Sequence, residues 1–109
     1  MLEHETYIFG TGQSQPSIEP LLTYRSVKVV GAAQILSVVT VEDTPITTLE
    51  CKCLDGSFQV FVDEAWMTKH APAPGWYLVQ YNGGYLSASP EGAFEDGYRL
   101  DYDAGQSRC

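Results

Sequence analysis

Between Trp66 and Tyr77 the chain places Trp66, Lys69, His70, Trp76 and Tyr77 within twelve residues, and Tyr85 and Arg99 follow. Aromatic rings offer rigid contact area at low entropic cost, and cationic groups beside them donate charge-assisted hydrogen bonds to phosphate or carboxylate. A helix end and a proline-rich link would bring these groups beside the following hairpin. The candidate ligand-binding residues are therefore Trp66, Lys69, His70, Trp76, Tyr85 and Arg99, and the ligand they suit is small and nucleotide-like. The same rings have a competing use, because a domain of 109 residues needs large apolar side chains for its core.

Catalytic and metal chemistry find less support. The chain contains no G-x-S-x-G elbow, no phosphate-binding glycine loop and no H-E-x-x-H. Asp63 and Glu64 are adjacent, so at a helix start they point apart, which is poor geometry for paired acid–base work. Ser87 and Ser89 have no histidine placed by sequence to activate them, and His70 stands alone. The reading is a non-enzyme with no cofactor. Cys51 and Cys53 would share one face of a strand, and a C-x-C pair can begin a metal site, but no second Cys/His pair follows at ligand spacing. With Cys109 the cysteines number three, and an odd count argues against a disulfide framework. Cys51 and Cys53 are expected as buried, reduced thiols.

Composition bounds the class. The chain is 44% hydrophobic and carries two tryptophans, seven tyrosines and four phenylalanines, as a folded domain requires. No apolar run approaches the ~18 residues that span a bilayer. Met1-Leu2-Glu3-His4-Glu5 lacks the basic and apolar start of a secretory signal, so a cytoplasmic setting is expected. Fourteen acidic residues against six basic ones give a net charge of −8, a field that repels nucleic acid and excludes a coating role on DNA or RNA.

These groups need elements to position them. Residues 1–22 read as an N-terminal arm or linker, with Gly10 to Ser17 polar and broken by glycine and proline. Tyr7-Ile8-Phe9 could form a short strand that docks on the body or on a neighbouring subunit. Residues 23–103 read as a single β-rich domain and 104–109 as a frayed tail. From Tyr24 to Val41 β-branched residues dominate, with Gly31-Ala32-Ala33 suggesting a bend or bulge. Asp55-Gly56 predicts a type I′ turn that pairs Leu54 with Ser57 and puts Leu49, Cys51, Cys53, Phe58, Val60 and Val62 on one face. Asp63 is placed to cap a helix over 64–69. Asn82-Gly83 predicts a second type I′ turn, with Tyr77, Val79, Tyr81, Leu86 and Ala88 on one face and Leu78, Gln80, Tyr85, Ser87 and Ser89 on the other. Ser89-Pro90 predicts a helix cap, Gly97 its left-handed close, and 98–102 an edge strand.

The stretch Gly75-x-Tyr77-x-Val79-x-Tyr81-x-x-Gly84-Tyr85-x-Ser87-x-Ser89-Pro90-x-x-Ala93-Phe94-Glu95-x-Gly97-Tyr98 resembles the C-terminal module of small uncharacterised proteins of tailed bacteriophages. Thr23-Tyr24-Arg25-Ser26 and Met67-Thr68-Lys69-His70 are similar to such proteins too. Ala88 stands where that module is usually aromatic. The resemblance carries over no catalytic residue; it implies a phage-encoded protein in the host cytoplasm that acts against a host pathway.

The expected fold is mainly β, a β-rich α+β domain: a small antiparallel sheet or open barrel of five to six strands with two short helices. The expected function is a non-catalytic phage accessory protein with an anti-defence role, sequestering a nucleotide-like signal, with a homo-oligomer as a further expectation. The alternatives are an inhibitor of a host protein through an acidic or sheet-edge surface, and a minor virion or assembly component. No membrane role is expected.

Overall fold

The computed structural model describes residues 8–9, 18, 21–25 and 29–100. Its elements are β1 (Ile8–Phe9), β2 (Leu22–Arg25), β3 (Val29–Thr40), β4 (Thr47–Cys53), β5 (Gly56–Val62), α1 (Glu64–His70), β6 (Tyr77–Gln80), β7 (Leu86–Ser89), α2 (Glu91–Gly97) and β8 (Arg99–Leu100). The protein is mostly β, an open half-barrel of antiparallel strands with two short helices, which is the expected class. No described helix is long and apolar enough to cross a membrane.

The twelve-residue β3 is the spine. Its first half pairs with β2 on one edge and β6 on the other, and its second half pairs with β4. The irregularity expected at Gly31-Ala32-Ala33 lies instead between Ile35 and Ser37. The small residues have a different cause. Ala32 and Ala33 are buried in two separate core clusters on opposite faces of the strand. A Cβ on Gly31 would sit 3.3 Å from the Leu21 Cβ, so glycine there admits a close neighbour.

In the first hairpin, Leu49, Cys51, Cys53, Phe58, Val60 and Val62 are all buried, as the alternation requires. The pairing differs. Cys53 faces Gly56 and Cys51 faces Phe58, so Leu54-Asp55 form the turn. Neither Asp55 nor Gly56 has positive φ, which excludes type I′. The shift is two residues along the strand pair, and an even shift returns every side chain to its own face. Cys51 is a free buried thiol, but Cys53 is disulfide-bonded, so the expectation of two reduced thiols holds for Cys51 alone. An odd cysteine count leaves room for one bond and one thiol.

The second hairpin departs further. Gln80 faces Leu86 and Leu78 faces Ala88 around a three-residue loop, Asn82-Gly83-Gly84. Gly83 and Gly84 take positive φ and Asn82 does not, so the two-residue type I′ turn is absent. This shift is odd, and it moves Leu86 and Ala88 onto the face of Leu78. Every residue of β6 is buried. Leu78 and Leu86 join the larger core, while Tyr77 and Val79 pack with Val30, Ala32 and Phe94 in the smaller one.

Asp63 caps α1 as expected, its Oδ1 accepting from the Trp66 N–H at 2.8 Å. Helix α2 forms where expected, with Phe94 buried against β6, but its caps differ from expectation. Pro90 occupies the N-cap position without a side-chain bond, and the Ser89 hydroxyl donates to the Pro90 carbonyl instead. Gly97 is the last helical residue, and the cap, Tyr98, is extended at φ −130°. Proline's fixed φ fits the turn into the helix, which displaces the start by one residue.

The boundary drawn at residue 22 does not separate the arm from the core. Ile18, Leu21 and Leu22 are buried, and β1 adds to β5 in parallel register, Ile8 against Phe61. The loop expected over 10–17 and the tail over 104–109 lie outside the described residues. Arg99–Leu100 pairs with β2 as an edge strand.

Candidate functional site

Helix α1 carries Trp66, Lys69 and His70 toward the 81–85 loop. Trp66 is 1% exposed, and its indole N–H donates to the Leu86 carbonyl at 3.0 Å. It docks the helix and offers no stacking face. His70 lies against it, ring centroids 4.6 Å apart, and reaches Tyr85 edge-on at 6.1 Å. Its Nε2 is buried with no hydrogen-bond partner. Burial, and then the neighbouring Lys69 charge, hold the imidazole below its usual pKa.

Lys69 is exposed, with its ammonium 5.3 Å from the centre of the Tyr85 ring. Tyr85 in turn stacks on Tyr81, centroids 6.4 Å apart. The Tyr81 ring is one of the few large apolar surfaces left open, at 36% exposure. Its hydroxyl is pushed up by burial first, then by the nearby Tyr98 and Tyr85 hydroxyls. Lysine, Tyr85 and Tyr81 thus form a row.

The row ends at a cleft of about 320 Å³ between the β2–β3 hairpin and the 81–84 loop, lined by Leu21, Val29, Gln80, Tyr81, Asn82 and Gly83 among others. That volume is at the low end for small-molecule sites. Gln80 secures two of its walls. Its Oε1 accepts from the Ile18 N–H at 2.9 Å and its Nε2 donates to the Gly84 carbonyl at 3.3 Å. A buried amide bonded at both ends holds the walls in register.

Of the six residues singled out from sequence, Trp66, Lys69, His70 and Tyr85 come together. Trp76 does not join them as a ligand face: it is half-buried against the larger core, and its carbonyl accepts from the Ile35 N–H. Arg99 is committed elsewhere, donating to the Glu95 and Tyr98 carbonyls at the end of α2. Tyr77, Phe94 and Tyr98 form a stack at 4.3 and 4.8 Å, with Tyr24 edge-on, and this stack is core. Gln80, Tyr81 and Asn82 were missed. The available signal was a glutamine closing the otherwise apolar run Tyr77-Leu78-Val79 ahead of two consecutive glycines.

Among the described residues no group of three His, Cys, Asp or Glu side chains could hold a metal ion. Compared with protein-family models, curated proteins and solved structures, the chain matches none.

Proposed function

We propose that this is a non-catalytic accessory protein of the phage type, which antagonises a host pathway or defence by sequestering a small nucleotide-like ligand. The observation that supports the reading is the cleft beside the 81–84 loop, with Tyr81 exposed at its rim and Gln80 bonding its walls together. A preformed cavity in which fixed amides and hydroxyls stand among apolar side chains suits a small polar ligand. The reactive groups argue for binding over turnover: His70 has its Nε2 buried away from solvent and the cleft-lining side chains carry no nucleophile paired with a base. The direct test is expression in host cells that carry a defence, followed by infection with a sensitive phage. The wild-type chain should restore plaque formation, and Tyr81→Ala, which removes the exposed ring at the cleft rim, should not. Equal protection by both forms would remove the cleft from the function.

A second reading has its own observation. Leu36, Val39 and Val41 are exposed at 45%, 56% and 36% on and just beyond the second half of β3, beside the acidic Glu42 and Asp43. An apolar strand with an acidic end suits contact with a host protein. Substituting Val39 by Lys should then abolish protection while Tyr81→Ala leaves it intact.

A further inference from the structure

Resting on the small-ligand reading, we infer that the cleft and the lysine on α1 form one divided site, with the ring system of a nucleotide against Tyr81 and its phosphate at Lys69. Neither half was assigned by sequence as a pair, because Tyr81 was not among the candidates and Lys69 lies twelve positions before it.

Three observations carry the inference. The rim of the cleft is aromatic: Tyr81 leaves a third of its surface open, and Val29, also exposed, lines the same cleft. Flat, sequence-tolerant stacking on such a ring is how nucleobases are commonly held. The polar groups lining the cleft include amides and a hydroxyl: Gln80 is taken up in joining its walls, while Asn82 is exposed at the loop tip. An exposed side-chain amide supplies both a donor and an acceptor, as the edge of a base or a ribose requires. The third observation is the row of rings. Tyr85 neighbours both Tyr81, at 6.4 Å, and the Lys69 ammonium, at 5.3 Å, so the cation stands one ring away from the cleft rim. No carboxylate among the described residues lies within ion-pair distance of Lys69, and its flexible stem leaves the charge free to move from the ring face to an anion.

His70 completes the separation of roles. Its imidazole is wedged against Trp66 and Tyr85 and is held neutral, so the local positive charge is that of Lys69. In a chain of net charge −8, a single focused ammonium decides where a phosphate can approach.

The test is titration calorimetry of the full chain with adenosine and adenosine 5′-monophosphate, and with the guanosine, cytidine and uridine pairs, with inorganic phosphate as control. At least one monophosphate should bind on the order of tenfold tighter than its nucleoside, as one charge-assisted bond provides. Lys69→Gln should erase that difference and leave nucleoside affinity unchanged. Tyr81→Ala should weaken nucleoside and nucleotide alike. Both positions are exposed, and an unchanged far-ultraviolet circular dichroism spectrum would establish that each variant is folded. Nucleosides and nucleotides binding equally, or a preference for the monophosphate that survives Lys69→Gln, would overturn the divided site while leaving a small-ligand function standing. Absence of binding by every member of the panel would overturn both.

Discussion

His70 is held neutral by burial and by Lys69, and its Nε2 has no partner. A histidine whose pKa is lowered on folding binds a proton more readily in the unfolded chain, whose ordinary value is about 6.5. Its contribution to stability is therefore full above that value and is lost as pH falls through it toward the lower folded value. Urea midpoints measured between pH 8 and pH 5 should fall more steeply for the wild type than for His70→Gln; parallel curves would show that the ring is not buried neutral. Cys51 poses the opposite case. Burial, with the Glu50 charge second, pushes its thiol up to about 12, so the thiolate is scarce. A maleimide reagent at pH 8 should leave Cys51 unlabelled until denaturant is added, and Cys51→Ser should cost roughly 1–3 kcal/mol by burying a poorly satisfied hydroxyl.

Among the elements, the two short helices hold their ends by different means. Asp63 accepts the Trp66 N–H at the start of α1, and Ala71, at φ +39°, closes the other end by donating to the Met67 carbonyl. Removing that cap with Asp63→Ala should lower stability by about 1 kcal/mol. Ser89 makes no cap, so Ser89→Ala should stay within ~0.5 kcal/mol, as surface changes do. Paired denaturation curves of the two variants check both statements, and equal losses would restore Ser89 as a cap. The hairpins differ in kind as well. The Leu54-Asp55 turn joins strands with one wet face, whereas the Asn82-Gly83-Gly84 loop joins β7 to a strand covered on both sides. The loop's glycines provide the positive φ values, and Gln80 ties the loop to the strand that leads into it.

For the molecule as a whole, two cores share β6, and Trp66 is the largest fully buried side chain. Its removal also strands the Leu86 carbonyl. Trp66→Ala should cost about 3–5 kcal/mol, a large part of the ~5–15 kcal/mol a domain has to lose, with loss of near-ultraviolet circular dichroism as the readout. The net charge of −8 opposes compaction through self-repulsion. Screening shortens from ~10 Å at 0.1 M salt to ~3 Å at 1 M, so sodium chloride should raise the urea midpoint at pH 7. A falling midpoint would mean that attractive ion pairs outweigh the repulsion.

Side-chain alternation determined the faces of the first hairpin without any knowledge of its partner, because a period of two survives an even shift in pairing. The cap at Asp63 was legible for a similar reason: it needs only one carboxylate and the next three residues. The second hairpin was not, since a three-residue loop and a two-residue loop differ by an odd shift, and Asn82-Gly83-Gly84 is compatible with both. That Tyr77 and Val79 face a second core depends on α2 folding back over β6, a contact between residues that local pattern does not connect. The same limit applies to the site. Lys69, His70, Trp66 and Tyr85 could be named from their types, but the cleft exists only because the β2–β3 hairpin, Ile18 and the 81–84 loop converge on Gln80. Local periodicity specifies which way a side chain points; which distant segments meet there is decided by how both faces of β6 are covered, and that is a property of the folded chain alone.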